Sequence, residues 1–291
     1  MEQQQTWKNN KPMPKQNKGE KDEQSFKHKI FTLNKNGDYQ ELVEILGPDA
    51  SKGIILINMK TGEEIKEEED IEDKAGTNYK ADAAIKMKRT GETFYPSIKS
   101  MKGGKPTILN HTPRSANIFQ KKGILNDKLH KIDKVVQKYH EYRRAPGGTE
   151  EVKINNLNLD EEDNNTLVEL IKDFMFNATG QGVSKCPANS ILVINKDDTY
   201  TFEKLETIEK QYEYVKKNLS KFDIALVSRK GMPCNIKTKK EAEEKMQHDK
   251  KYAQKYEQLR PWIFETDKRT RSNPSGNIIL KACLHIRWSL S

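Results

Sequence analysis

The chain is organised around residues 78–119, which read NYKADAAIKMKRTGETFYPSIKSMKGGKPTILNHTPRSANIF. It holds two strand-like runs, one carrying Asp82 and the other carrying Lys99. If Thr90-Gly91 is the two-residue turn of a β-hairpin, Asp82 lies directly opposite Lys99. Alternation along the strand then puts Ser97 on the same face. The sequence therefore predicts that a carboxylate, an ammonium group and a hydroxyl converge.

Such a set suits metal-assisted phosphodiester hydrolysis. The carboxylate would hold a hard divalent cation such as Mg²⁺, and the ammonium would stabilise the charged phosphate or orient the attacking water. From spacing alone, an ordinary cross-strand ion pair between Asp82 and Lys99 is the alternative, because opposite charges on paired strands are common.

The segment around Lys99 favours the first interpretation. The string SIKSMKGGKPTILN, residues 97–110, is followed by SANIF, residues 115–119. This order resembles the core of a group of type II restriction endonucleases in the PD-(D/E)xK nuclease superfamily, whose members carry SIKS, a glycine-containing loop, a T-L/I-L-N run and a short N-F segment. The resemblance is confined to the stretch 78–119 and is absent from its flanks.

The resemblance implies roles for several side chains. Asp82 would be the metal-binding aspartate and Lys99 the catalytic lysine. Ser97 stands where the superfamily usually has an acidic residue, so a second acidic metal ligand has to come from elsewhere. In related folds a glutamate on the first helix often supplies it, which points to Glu44, or to Glu41, in the stretch GDYQELVEIL. The alternative for both is the polar face of an amphipathic helix.

Candidate DNA contacts lie in and after the glycine-containing loop. Gly103-Gly104 lets the backbone approach a sugar-phosphate chain. Arginine suits bidentate contact with guanine and asparagine suits adenine, although asparagines also brace loops by capping backbone groups. The candidates are Ser100, Lys102, Lys105, Asn110, Arg114 and Asn117.

Charge and composition indicate which kind of partner the protein binds. The 52 Lys and Arg against 43 Asp and Glu give a formal charge of +9. This excess favours an acidic partner, here double-stranded DNA, through neutralisation of phosphates and release of counterions. The resemblance also implies a homodimer on a palindromic site.

The cysteines and the hydropathy pattern indicate the cellular compartment. Cys186, Cys234 and Cys283 are odd in number and widely spaced, without a CxxC pair or metal-ligand spacing, which is typical of idle thiols in a reducing compartment. No apolar run approaches the roughly 20 residues of a membrane span, and the amino terminus lacks an apolar signal core. We expect a cytoplasmic protein without a membrane partner.

The expected fold is α/β, with a central mixed β-sheet flanked by helices as in a PD-(D/E)xK nuclease core. We expect a disordered basic arm over residues 1–27, a catalytic core over 28–145, and over 146–291 a continuation with a DNA-recognition subdomain. The predicted helices cover residues 38–46, 123–144, 165–177, 203–219 and 237–256. The predicted strands cover residues 53–57, 191–194, 223–227 and 277–288.

Two functions follow. The first is a type II restriction endonuclease that uses Mg²⁺ to cleave double-stranded DNA at specific sequences. The second is a nucleic-acid-binding protein without catalysis, in which the basic surface grips phosphates and the hairpin is structural.

Overall fold

The structure of the chain divides into two compact units. The computed structural model describes residues 18–71, 78–111, 134–135, 138–139, 141–143, 145–149, 151–179, 182–227, 238–260, 263–266, 278–281 and 283–289. The first unit comprises residues 1–75, 82–104 and 191–203, and the second comprises 76–81, 105–190 and 204–291. These units differ from the predicted division at residue 145, because a late segment, 191–203, joins the first unit.

The regular elements are named in chain order. The helices are α1 Lys18–Asn36, α2 Tyr39–Leu46, α3 Glu161–Lys172, α4 Ile208–Lys217, α5 Lys239–His248 and α6 Lys250–Leu259. The strands are β1 Ile54–Ile57, β2 Ala84–Met87, β3 Thr93–Phe94, β4 Pro96–Ser100, β5 Thr107–His111, β6 Glu151–Lys153, β7 Ala178–Thr179, β8 Gly182–Val183, β9 Ser190–Ile194, β10 Tyr200–Lys204, β11 Phe222–Val227, β12 Phe264–Thr266, β13 Ile279–Lys281 and β14 Cys283–Trp288.

The strands form several small sheets. In the first unit, β1-β2-β3 is an antiparallel sheet and β10-β9-β4 is another three-stranded sheet. In the second unit, an antiparallel sheet of order β5-β14-β11-β6 is accompanied by the pairs β12-β13 and β7-β8. The mixed α/β class is confirmed. The predicted single central sheet is not found among the described residues, since the strands distribute over these smaller sheets.

Hydrophobic periodicity predicted several elements correctly. The helix at 38–46 is α2, and the buried runs predicted as strands are β1, β9 and β11. The helix predicted over 203–219 begins only at Ile208, because Tyr200–Lys204 pairs as a strand. The segment predicted over 237–256 is two helices that meet at Asp249, whose side chain caps α6 by accepting from the Tyr252 N–H at 2.9 Å.

The remaining predicted elements are only partly matched. The helix predicted over 165–177 is α3 with a π-helical turn after it, Asp173–Asn177. The single closing strand over 277–288 is divided into β13 and β14. Of the helix predicted over 123–144, residues 134–135, 138–139 and 141–143 are helical and the others lie outside the described residues. In the described part of the chain, no helix combines the length and the apolar character that crossing a membrane requires.

The predicted two-residue hairpin turn is wrong. Ile85 pairs with Phe94, and the loop between β2 and β3 runs from Lys88 to Glu92. A two-residue type I′ turn would require a positive φ at Thr90, which a β-branched residue resists. In the longer loop only Gly91 takes a positive φ, of 77°. This register, if continued, would set Asp82 opposite Ser97 instead of Lys99.

The prediction of a disordered arm over residues 1–27 is wrong for residues 18–27, which form the first half of α1. One face of this helix is apolar at helical spacing: Phe26, Ile30 and Leu33 are buried in the core of the first unit. Asn34 ties the end of α1 to β1 by accepting from the Ile54 N–H at 2.8 Å. Residues 1–17 lie outside the described residues.

Replacing Phe26 by Ala tests whether this helix is folded. The Phe26 side chain is 1 % exposed, so truncation should lower the free energy of unfolding by about 3 to 5 kcal/mol. Chemical denaturation followed by circular dichroism would measure the loss. Ser25→Ala, at an exposed neighbouring position of the same helix, should change the stability by less than about 0.5 kcal/mol. Equal stabilities of the two variants would contradict the helical assignment.

Candidate active site

Asp82 is fixed by two hydrogen bonds to the segment that forms β4. Its backbone N–H donates to the Pro96 carbonyl at 2.9 Å, and its Oδ2 accepts from the Ile98 N–H at 2.7 Å. One oxygen of the carboxylate therefore anchors the approach to β2 against β4, while its side chain stays 23 % exposed. A carboxylate held in this way is oriented before any ligand arrives.

The predicted meeting of Asp82 and Lys99 occurs, although by a different route from the predicted register. Lys99 Nζ lies 3.9 Å from Asp82 Oδ2 and donates to the Ile98 carbonyl at 2.9 Å. The Lys99 side chain is 14 % exposed, so the ammonium group remains reachable from solvent. Asp82 and Lys99 are not directly opposed on paired strands. The hydrogen bond from the Ile98 N–H to Asp82 instead brings the carboxylate close to the ammonium group of Lys99.

Two serines flank Lys99 in β4, and they differ in their environment. Ser97 is fully buried, and its hydroxyl has no hydrogen-bond partner among the described residues. Ser100, a predicted DNA contact, donates instead to the carboxylate of Asp22 on α1 and accepts from the Lys102 N–H at 3.2 Å. Ser100 therefore joins α1 to β4, which sets the position of the helix relative to Lys99.

The structure adds a carboxylate that the sequence analysis did not identify. Glu23, on the first turns of α1, is partly buried, and this burial together with the charge of Asp82 raises its pKa from 4.5 to about 7. The charges of Lys99 and Lys27 act in the opposite direction. Two carboxylates and two amines thus interact electrostatically within the first unit. A shift of this size is a mark of a functional-site candidate.

Lys27 lies one helical turn after Glu23 and is only 7 % exposed. It lines a small pocket together with Asp82, and the other walls are mainly apolar side chains from β1 and the segments around it, including Leu56 and Ile71. The polar end of this pocket is therefore made by one acid and one amine.

The glutamates proposed as the second metal ligand lie elsewhere. Glu44 is exposed on α2, and Glu41 forms an ion pair with Lys29 at 2.7 Å. The hydrogen bond from Lys29 to Glu41 is also the main cause of the raised pKa of that lysine. In the acidic run at 67–70, Glu68 accepts from His28 at 2.9 Å. Glu23 is better placed than any of these side chains to share a cation with Asp82.

A sequence signal for Glu23 existed. Glu23, Lys27, Ile30 and Asn34 recur at three- and four-residue spacing on the face of α1 that also buries Phe26. The surrounding lysines and glutamines hid this stripe, because Ile30 is the one apolar residue among its four members.

Several predicted DNA contacts have other partners. Lys102 is paired with Asp198, and the Lys105 ammonium contacts Glu151 and lies 2.5 Å from the nearly buried carboxylate of Asp223. Asn110 lies in β5, paired with β14. Arg114 and Asn117 lie outside the described residues. Lys105 therefore has a structural role in the second unit.

An open site for a divalent metal would have Asp82 and Glu23 as its protein ligands. Within the residues that the structure describes, no group of three or more His, Cys, Asp or Glu side chains is arranged to hold a metal ion. Mg²⁺, however, commonly uses one or two carboxylates and completes its octahedron with waters and substrate phosphates. Burial and the charge of Asp82 raise the pKa of Glu23, and a cation beside the two carboxylates would counter both effects.

Comparisons with known proteins supply no family for this chain. No protein-family model matches it, and no curated protein matches it.

Glu23→Gln should change how stability depends on pH. Below pH 4.5 the Glu23 carboxyl is protonated in both states, whereas between pH 4.5 and about 7 only the folded protein keeps the proton. The free energy of unfolding of the metal-free protein should therefore fall as pH rises through this window. Glu23→Gln removes that fall and should make the protein more stable than wild type above pH 7, by about 1 to 3 kcal/mol.

Urea denaturation at a series of pH values, in the presence of a chelator, would measure this difference. Glu44→Gln, at an exposed position of α2, is the matched control and should keep the wild-type slope. If stability falls with pH equally in wild type and Glu23→Gln, the pKa of the Glu23 carboxyl is not raised in the folded protein.

Lys105→Ala tests the structural role of this lysine. Its removal leaves the carboxylate of Asp223, whose side chain is 3 % exposed, with less compensation. The free energy of unfolding should drop by about 1 to 3 kcal/mol. Lys102→Ala should cost less than about 1 kcal/mol, because the side chain of its partner Asp198 is 71 % exposed. Similar small losses for both variants would contradict this assignment.

Proposed function

We propose that the protein is a Mg²⁺-dependent endonuclease of the type II restriction class, which cleaves double-stranded DNA at specific sequences by phosphodiester hydrolysis. The observation that carries this proposal is the position of Lys99 Nζ, 3.9 Å from an Asp82 carboxylate whose charge also acts on Glu23. At one place, the two interacting carboxylates would bind a cation and the amine would bind a phosphate.

Each side chain has a role in the proposal. Asp82 and Glu23 would hold the metal, which when bound supplies a Lewis acid for the phosphate and acidifies a coordinated water. Lys99 would neutralise charge that develops on the scissile phosphate or orient the attacking water. Ser97, whose hydroxyl has no partner in the part of the chain that the structure describes, would orient the phosphate or the attacking water. Ser100 would brace α1 through Asp22.

Two further features support a DNA substrate. The formal charge of +9 favours a polyanionic partner, and the string at 97–110 resembles the core of restriction endonucleases. Lys102 stays a candidate for a phosphate contact, since its pairing with the exposed Asp198 is readily exchanged for a phosphate. The homodimer implied by the resemblance also belongs to this proposal, and light scattering with and without DNA would measure it.

A nucleic-acid-binding protein without catalysis is the second candidate. The specific observation in its favour is that the described residues hold no group of three or more His, Cys, Asp or Glu side chains arranged to bind a metal ion. In that case the charges around Asp82 would serve only to fix β4 against its neighbours, and the basic residues would grip phosphates.

Cleavage separates the two candidates. A sequenced plasmid incubated with the purified protein and Mg²⁺ should give discrete fragments, and Lys99→Ala should slow their formation by at least about a hundredfold. DNA binding by Lys99→Ala, measured by fluorescence anisotropy in Ca²⁺, should change only a few-fold, since one lysine is a small part of the phosphate contacts.

Lys86→Ala, at an exposed lysine of β2, is the matched control and should cut at the wild-type rate. Retardation of DNA without any fragments would favour the binding protein. Cutting by Lys99→Ala at the wild-type rate would remove Lys99 from the proposed site. Mapping of the fragment ends would give the recognition sequence and the cleavage position.

A further inference from the structure

Lys27 is a buried cation that the proposed reaction does not use. It lies on the inward face of α1, between Phe26 and Ile30 of the hydrophobic core, and is 7 % exposed. Burial of an ammonium group is costly unless opposite charges and hydrogen bonds compensate for the lost hydration. The position of Lys27 therefore requires negative partners close by.

The two carboxylates of the candidate site are negative charges close to Lys27. Glu23 precedes Lys27 by four residues, which places both side chains on one face of the helix. The positive charge of Lys27 acts on Glu23, and Lys27 and Asp82 together line the same pocket. Lys99 acts on the same pair of acids from β4. In the absence of metal, the two amines thus offset part of the repulsion between the two acids, and the pKa of Glu23 still stays raised.

We propose that Lys27 is a positioning residue that acts as an internal counter-cation to Glu23 and Asp82, and that it thereby sets how tightly the site binds a divalent metal. The inference rests on the proposed function insofar as this pair of acids binds a metal. Lys27 holds the carboxylates in place before the ion arrives and opposes the entry of the ion by like-charge repulsion.

The sign of the expected effect distinguishes this role from a merely structural one. Damage to the packing of α1 would misplace Glu23 and weaken metal binding. Removal of a competing positive charge from a correctly folded site instead strengthens metal binding, because a cation near the two carboxylates no longer meets the repulsion of Lys27.

Titration with Mn²⁺ tests the proposal. Mn²⁺ binding to chelator-treated protein at pH 8, followed by isothermal titration calorimetry, gives the Kd without any substrate. Lys27→Met keeps the length of the aliphatic stem and removes the charge, so its Kd should be about tenfold lower than that of wild type. Lys27→Arg keeps the charge and should bind Mn²⁺ as wild type does.

Lys35→Met is the matched control on the same helix. The Lys35 side chain is 64 % exposed and lies near Glu67, so the loss of its charge should leave the Kd unchanged. Lys27→Gln provides the same comparison if methionine prevents folding. The rise in Tm on addition of Mn²⁺ should also be larger in Lys27→Met or Lys27→Gln than in wild type.

The outcomes separate this inference from the function on which it rests. If wild type binds Mn²⁺ while Lys27→Met and Lys27→Gln bind it equally or more weakly, the counter-cation role is overturned and the proposed function stands. If wild type itself shows no Mn²⁺ binding, both are overturned.

Discussion

The hydrogen bond from the Ile98 N–H to Asp82 Oδ2 is the interaction on which the site depends. Together with the bond from the Asp82 N–H to the Pro96 carbonyl, it holds the segment before β2 against β4. The same carboxylate thus fixes the local backbone and presents its charge to Lys99. Ser100 then connects β4 to α1 through Asp22, and α1 delivers Glu23 and Lys27. Backbone anchoring of this kind places chemical groups accurately because strands and helices are stiff.

Two charged clusters in the chain show how pairing decides the state of a carboxylate. In the second unit, burial is the largest single influence and would raise the pKa of Glu151, but hydrogen bonding to Lys105 and the charges of Lys105 and Arg287 together lower it. In the first unit, burial and the neighbouring Asp82 raise the pKa of Glu23 despite two nearby lysines. The first cluster is saturated by its own partners, as expected of a structural network. The cluster in the first unit leaves the Glu23 carboxylate without full charge compensation, which a cation would supply.

The stretch that resembles a restriction endonuclease is shared between the two units. Residues 97–104 belong to the first unit and residues 105–110 to the second. Ser97, Lys99 and Ser100 therefore serve the candidate site, whereas Lys105 contacts Asp223 within the four-stranded sheet and β5 completes an edge of that sheet. Adjacent residues of one motif thus have different physical roles, because different elements pack against them.

The sequence alone determined the elements whose patterns are local. The apolar spacing of α2 and the β-branched runs of β1, β9 and β11 suffice to predict them, and Asp82 and Lys99 sit on neighbouring runs that are close enough in sequence to be paired. The identity of the distant helix that packs on β4 follows only from the folded chain. Periodicity shows that a segment has a face, but not which element that face meets. This is why the sequence predicts an arm for Glu23 and Lys27, which are far from Asp82 along the chain, and points to Glu44 as the metal ligand.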